Sequence, residues 1–170
     1  MHKKLPNIFI FTDKYNSAIF KNKNKNIGIV YRNYNDENRE NQLIKIAKAC
    51  KKTRYQLFIS NDIKLAYRFK ADGIYIPSFN KRKNFLNLEK KNFFTIGSAH
   101  SQKEIHKKIE QKCKAIFLSP LFNVKKSKKY LSLHKFNYLS NLNKTNILAL
   151  GGITGDNIKK LRLLSIKGFG

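Results

Sequence analysis

Seven short runs of apolar, β-favouring residues recur along the chain, and each stops abruptly at turn-forming residues. They span 7–11, 27–31, 56–60, 73–77, 93–97, 115–119 and 146–150. Near-continuous apolar runs, as opposed to alternating ones, are the mark of strands covered on both faces, as in a parallel sheet. Between them lie segments of helical period. In 37–51, Leu43, Ile46, Ala47 and Cys50 fall on one helical face, and 62–70, 102–112 and 156–164 carry shorter versions of the same pattern. The first and fourth connections read as short and polar. Alternating β and α predicts a parallel sheet with helices over its outer face, and both an open doubly wound sheet and an eight-stranded barrel fit that rhythm.

The count separates the two. Gly168-Phe169-Gly170 reads as the opening of an eighth strand, at which the 170-residue sequence stops. A β/α barrel usually takes about 200 residues or more. The expectation is therefore a single domain over residues 1–170, a barrel whose eighth β/α unit is largely missing; closed and unclosed forms both stay open, the unclosed one leaving strand edges that invite homo-oligomers or a cap from elsewhere.

Hydrophobic content of 41% with 12% aromatics predicts a globular chain despite a formal net charge of +26. Only six of the cationic residues are arginines, and the excess is lysine travelling with Asn and Ile, the signature of A/T-rich codons. The lysines are scattered, with no nucleic-acid motif and no aromatic-plus-Arg stacking platform, so specific nucleic-acid binding is not expected, only salt-sensitive attraction to phosphate backbones. Cys50 and Cys113 are too few and too far apart for a disulfide framework or a zinc site, and both read as half-buried helix residues. His2, His106 and His134 show no ligand spacing and read as surface residues. No run approaches the roughly 20 apolar residues of a membrane span, and a cytoplasmic location with no membrane partner is the expectation.

Read in order, the strand ends carry Phe11-Thr12-Asp13, Arg32, Asn61-Asp62, Asp72-Gly73-Ile74-Tyr75, Gly97-Ser98-Ala99-His100-Ser101, Ser119-Pro120-Leu121-Phe122 and Ala149-Leu150-Gly151-Gly152-Ile153. This series resembles thiamine phosphate synthase and its close relatives the thiazole tautomerases (TenI-like), over nearly the whole chain. The resemblance implies a (β/α)8 TIM barrel, phosphorylated small-molecule substrates and Mg²⁺. It also implies transfer of a pyrimidine methyl group from its diphosphate to a thiazole phosphate, with release of pyrophosphate. The alternatives it leaves are thiazole tautomerase and a catalytically degenerate barrel that binds a phosphate ligand.

Carried over position by position, the resemblance makes Arg32 and Asn61 diphosphate-binding residues, and a guanidinium fork suits phosphate oxygens. The family's Gln two residues before Arg32 is Val30 here, and its Lys two residues after is Tyr34. Asp62 matches a Mg²⁺ ligand and reads equally as a helix N-cap. The second metal carboxylate is missing, because Pro77-Ser78-Phe79-Asn80 stands in its place, so the metal site is expected to be weak or altered. Ser98 and His100 match the Ser-x-His of the reacting centre, with a capping Ser and a hydrogen-bonded His as the plainer reading. Ser127 and Lys128 match the Thr and Lys of the loop that closes over the diphosphate if one residue is inserted, against a solvated basic loop. Gly151 and Gly152 let backbone N–H groups approach the thiazole phosphate, next to a helix start near Gly155 and Asp156.

Overall fold

A computed structural model describes residues 3–21, 26–34, 36–82, 93–124 and 129–170. Its strands are β1 (Ile8–Thr12), β2 (Ile27–Tyr31), β3 (Gln56–Ser60), β4 (Gly73–Ile76), β5 (Phe94–Ala99), β6 (Ala115–Leu118), β7 (Asn146–Ala149) and β8 (Gly168–Phe169). The strand order is sequential from β1 to β8 and closed, which is the β/α barrel and not the open doubly wound sheet. The α-helices are α1 (Arg39–Thr53), α2 (Ile63–Arg68), α3 (Gln102–Glu110) and α4 (Ser132–Asn141).

Gly168–Phe169 forms the short eighth strand expected at this point, in register Leu148↔Gly168 and Ala149↔Phe169, with Lys167 donating to the Ile147 carbonyl at 2.9 Å and Gly170 to the Ala149 carbonyl at 2.9 Å. The sheet is closed with this two-residue strand in place. The length rule assumes full α-helical connections, whereas Ser17–Lys21 and Ile158–Leu163 are single 3-10 segments that shorten the chain needed per unit. The segment 156–164 is accordingly 3-10 and not α. Helix α4 was not expected at all: no side-chain cap marks its start, and only Phe136, Leu139 and Ser140 are buried along it.

Contacts gather the chain into two compact units, one built on β1–β4 and one on the segment after β4 with most of β5 and β6–β8. In the first, α1 buries Leu43, Ile46 and Cys50 over one face of the sheet. The other face is filled by aromatics opposed to glycines. The Phe9 and Phe58 rings meet edge to face at 5.5 Å, and a Cβ on Gly28 would lie 2.7 Å from Phe9 and 3.1 Å from Phe58. Phe58 and Phe94 are 6.5 Å apart, and Phe11 meets Tyr75 edge to face at 5.3 Å. Such large-small pairing is what close-packed interiors require. Asp72, entering β4, accepts the Leu57 N–H at 2.8 Å and pairs with Lys3, so the Asp-Gly of this strand is a structural joint.

In the second unit, a Cβ on Gly97 would meet the Lys108 Cδ at 2.8 Å and the Cys113 Sγ at 2.9 Å, so Gly97 faces the helix layer. Ser98, one residue on, faces the opposite side. Lys108 is 1% exposed, and its ammonium donates to the carbonyls of Pro77 and Asn80 and to the Gln111 amide oxygen, each at 2.8 Å. Gln111 donates to Asn80 and Arg82 as well. Together they tie α3 to the segment after β4. Desolvation lowers the Lys108 pKa to about 8, with Cys113 and Glu104 opposing it. The unfolded lysine holds its proton up to about pH 10.4. Between these values the unfolded state binds more protons, so burial of the charge destabilises below pH 8 and this cost is relieved as pH rises. The expected result is that Lys108→Met flattens a rise in urea midpoint between pH 8 and 10 that the unmodified chain shows. Cys113 lies in the turn before β6 and not on a helix, while Cys50 is on α1; both are free and buried, and burial pushes both thiols up to about 12. Among the described residues no helix is long and apolar enough to cross a membrane.

Candidate active-site residues at the strand ends

In a β/α barrel the C-terminal ends of the strands carry the chemistry, and in the first unit the ends of β1, β2 and β3 bring together a mixed cationic and polar set. Arg32 follows β2, with its N–H bonded to the Thr12 carbonyl at 2.8 Å and its guanidinium 5.7 Å from the centre of the Phe11 ring. It is exposed and makes no ion pair among the described residues. A cation resting on an aromatic face keeps its donors for a ligand. Tyr34 reaches across to the buried Ser60, phenol to hydroxyl at 2.6 Å. Asn61 turns the corner after β3 with φ of 60° and donates its N–H to the Tyr75 carbonyl at 2.9 Å.

Asp62 resolves its two readings in favour of the helix cap. Its Oδ1 accepts the Leu65 N–H at 2.9 Å, and its Oδ2 accepts a guanidinium N–H of Arg39 at 3.1 Å. Arg39 is the first residue of α1 and was not singled out from the sequence. Its Nε is hidden from solvent and has no acceptor.

In the second unit, His100 follows β5. Its Nδ1 lies 2.8 Å from the Ser119 carbonyl and 3.2 Å from the Ser119 hydroxyl. A carbonyl only accepts, so Nδ1 is the donor in this contact, and in a neutral imidazole that arrangement puts the lone pair on Nε2. The backbone N–H of His100 donates to Glu104 at 2.7 Å, and the cap of α3 is Ser101, not Ser98. Ser98 is 4% exposed on β5. Ser119, which fixes the imidazole, was visible in the sequence only as the turn before Pro120; the Ser119-Pro120 bond is cis.

Gly151 and Gly152 have φ of 96° and 70°. A Cβ on Gly151 would lie 2.9 Å from Pro120, and one on Gly152 would lie 2.5 Å from the Asn123 carbonyl oxygen. The glycines therefore let this turn lie against the loop after β6, where Leu121 donates to Leu150 at 2.9 Å and Phe122 to Gly151 at 3.0 Å. Asn157 closes the turn, donating to the Gly152 carbonyl at 2.8 Å and accepting from Thr154 at 2.9 Å. Both glycine carbonyls are thus tied down, while no bond to another described residue is made by the N–H groups of Gly151, Gly152 and Ile153. The six-residue 3-10 segment that follows is too short to supply the expected helix dipole. Gly152→Ala is expected to lose about 1–3 kcal/mol of stability from the left-handed backbone alone, read as a lowered denaturation midpoint. Ser127 and Lys128 lie outside the described residues.

The family model described as thiamine monophosphate synthase matches residues 17–169. The chain belongs to the thiamine monophosphate synthase family. It is 33% identical over 144 residues to a thiamine-phosphate synthase of Prochlorococcus marinus, covering 77% of this chain and 40% of that protein. A second, from Prochlorococcus marinus subsp. pastoris, is 29% identical over 135 residues, covering 75% of this chain and 37% of that protein. The chain thus spans about two fifths of the length of these curated relatives. A thiamine phosphate pyrophosphorylase from Pyrococcus furiosus superposes with a TM-score of 0.76 at 16% identity, over 97% of this chain and 84% of that one, a likeness of fold.

The Mg²⁺ that family membership brings to mind does not fit the residues present. Both oxygens of Asp62 are engaged by Leu65 and Arg39. Asp36, the carboxylate before α1, accepts from the Asn38 N–H at 2.8 Å and from Asn33 at 3.3 Å. No group of three or more His, Cys, Asp or Glu side chains that could hold a metal comes together among the described residues.

Proposed function

We propose that this chain carries the synthase reaction of its family, joining a pyrimidine methyl diphosphate to a thiazole phosphate. The C–O bond between the methylene carbon and the diphosphate breaks, its electron pair leaving with pyrophosphate. The lone pair of the thiazole nitrogen forms the new C–N bond, giving a thiazolium and releasing no proton. The observation that carries this reading is the exposed, unpaired guanidinium of Arg32 at the end of β2, inside a chain matched to this family over residues 17–169.

Negative charge gathers on the leaving diphosphate in the transition state, so donors fixed there accelerate the step more than they aid binding. In the first unit Arg32, after β2, is the principal donor, with Asn61 after the neighbouring strand β3. In the second unit, taken by itself, the N–H groups of Gly151 and Gly152 suit the thiazole phosphate, and Ser98 and His100 take the roles that the resemblance gives them. Pyrophosphate release that requires both substrates together tests the reading; release from the pyrimidine diphosphate alone, or none from either mixture, contradicts it.

A second reading has its own observation. His100 holds one tautomer through Ser119 and leaves Nε2 as a base, which is what a thiazole tautomerase needs. Isomerisation of the thiazole phosphate without any pyrimidine substrate, lost in His100→Gln and retained in Arg32→Ala, selects it.

A further inference from the structure

We propose that the Arg39 guanidinium, held on Asp62, takes the place of a divalent cation at the end of β3, so that a diphosphate-class anion is bound there by guanidinium groups without a metal. The inference rests on the synthase reading above.

Three observations in the first unit carry it. Each Asp62 oxygen already accepts one hydrogen bond: one caps α2 through Leu65 at 2.9 Å and the other receives Arg39 at 3.1 Å. A hard cation such as Mg²⁺ on this carboxylate would bring its own positive charge beside a guanidinium, a repulsive arrangement at short range. Arg39, for its part, is fixed at the start of α1, and its side chain is only 23% exposed. Its Nε is shielded and has no acceptor, and an unmatched buried donor is a rare and costly condition in a folded chain. An anion would meet the exposed part of the Arg39 side chain, where the planar fork of a guanidinium suits two oxygens of one phosphate. Arg32, at the end of the adjacent strand β2, adds a second fork with no carboxylate to neutralise it.

The test uses the metal and the anion separately. Mn²⁺ alone is titrated into the full chain and followed by the electron paramagnetic resonance of free Mn²⁺; the expected result is no saturable uptake, and stoichiometric uptake lost in Asp62→Asn overturns the inference. Inorganic pyrophosphate is then titrated by calorimetry in EDTA and in Mg²⁺. Binding of equal strength in both is expected, weakened about tenfold or more in Arg32→Gln and in Arg39→Gln, partly restored by Arg39→Lys, and unchanged in Arg162→Gln, which removes the same charge elsewhere. Circular dichroism on each variant separates lost binding from lost folding. Pyrophosphate bound only with Mg²⁺ overturns the inference and leaves the synthase reading intact. Pyrophosphate bound in neither condition overturns the synthase reading, and the inference with it.

Discussion

Under the proposed synthase reading, Arg32→Ala is expected to lower kcat/KM for the two-substrate reaction by about 10²–10³-fold, the loss of about 2.7–4 kcal/mol that follows removal of a fixed donor from developing negative charge. The effect falls mainly on kcat, because the guanidinium meets more charge in the departing diphosphate than in the bound substrate. Arg32 is placed for this by its backbone, bonded to Thr12 at 2.8 Å, and by the Phe11 ring beneath it. Among the described residues its exposed side chain makes no ion pair and rests only on the Phe11 ring, so the thermal midpoint of the variant is expected to stay within about a degree or two of the parent, roughly as for surface substitutions generally. Arg162→Ala, equal in charge and remote in sequence, leaves the rate unchanged. Steady-state kinetics on the three proteins decides the matter: an Arg32→Ala enzyme as fast as the parent would remove Arg32 from the reaction.

Phe58→Ala has the largest expected effect on stability. Phe58 is fully buried on β3, its ring touching Phe9 and Phe94 and filling the space left by Gly28 and Gly73. Truncation leaves a cavity that backbone on either side cannot close, because the strands are fixed in register on both flanks. The expected loss is about 3–5 kcal/mol, a large part of the stability of an ordinary domain. Equilibrium urea denaturation checks it, with Phe58→Leu expected to recover part of the loss. A change below about 1 kcal/mol would mean that this aromatic packing does not hold the first unit together.

Much of this was legible before any coordinates. The strands were readable because each is a compact apolar run cut off by turn residues, and β2 and β3 fall where the runs do. Gly151-Gly152 was readable as a special turn for the same reason, although its first demand turns out to be steric: the turn lies against Pro120 and Asn123. What could not be read were contacts between residues distant in sequence. Arg39 sits in a polar stretch that looks like any solvated helix start, and only folding brings it to Asp62, 23 positions away. His100 was singled out by the residues around it, whereas the Ser119 carbonyl that sets its tautomer is a backbone group with no sequence signature. Helix α4 was missed because a helix with only a few buried positions and no cap leaves almost no period to detect. The closing strand was readable at Gly168-Phe169, whereas closure itself depends on ladder bonds and register that composition does not carry.

The most direct test of the account is product formation by the folded chain. The pyrimidine diphosphate and the thiazole phosphate are incubated with the protein in EDTA and in Mg²⁺, and thiamine phosphate is read as thiochrome fluorescence, with circular dichroism on the same sample. The account predicts thiamine phosphate in both conditions, formed together with an equal amount of pyrophosphate. A folded chain that forms no thiamine phosphate in either condition would contradict it.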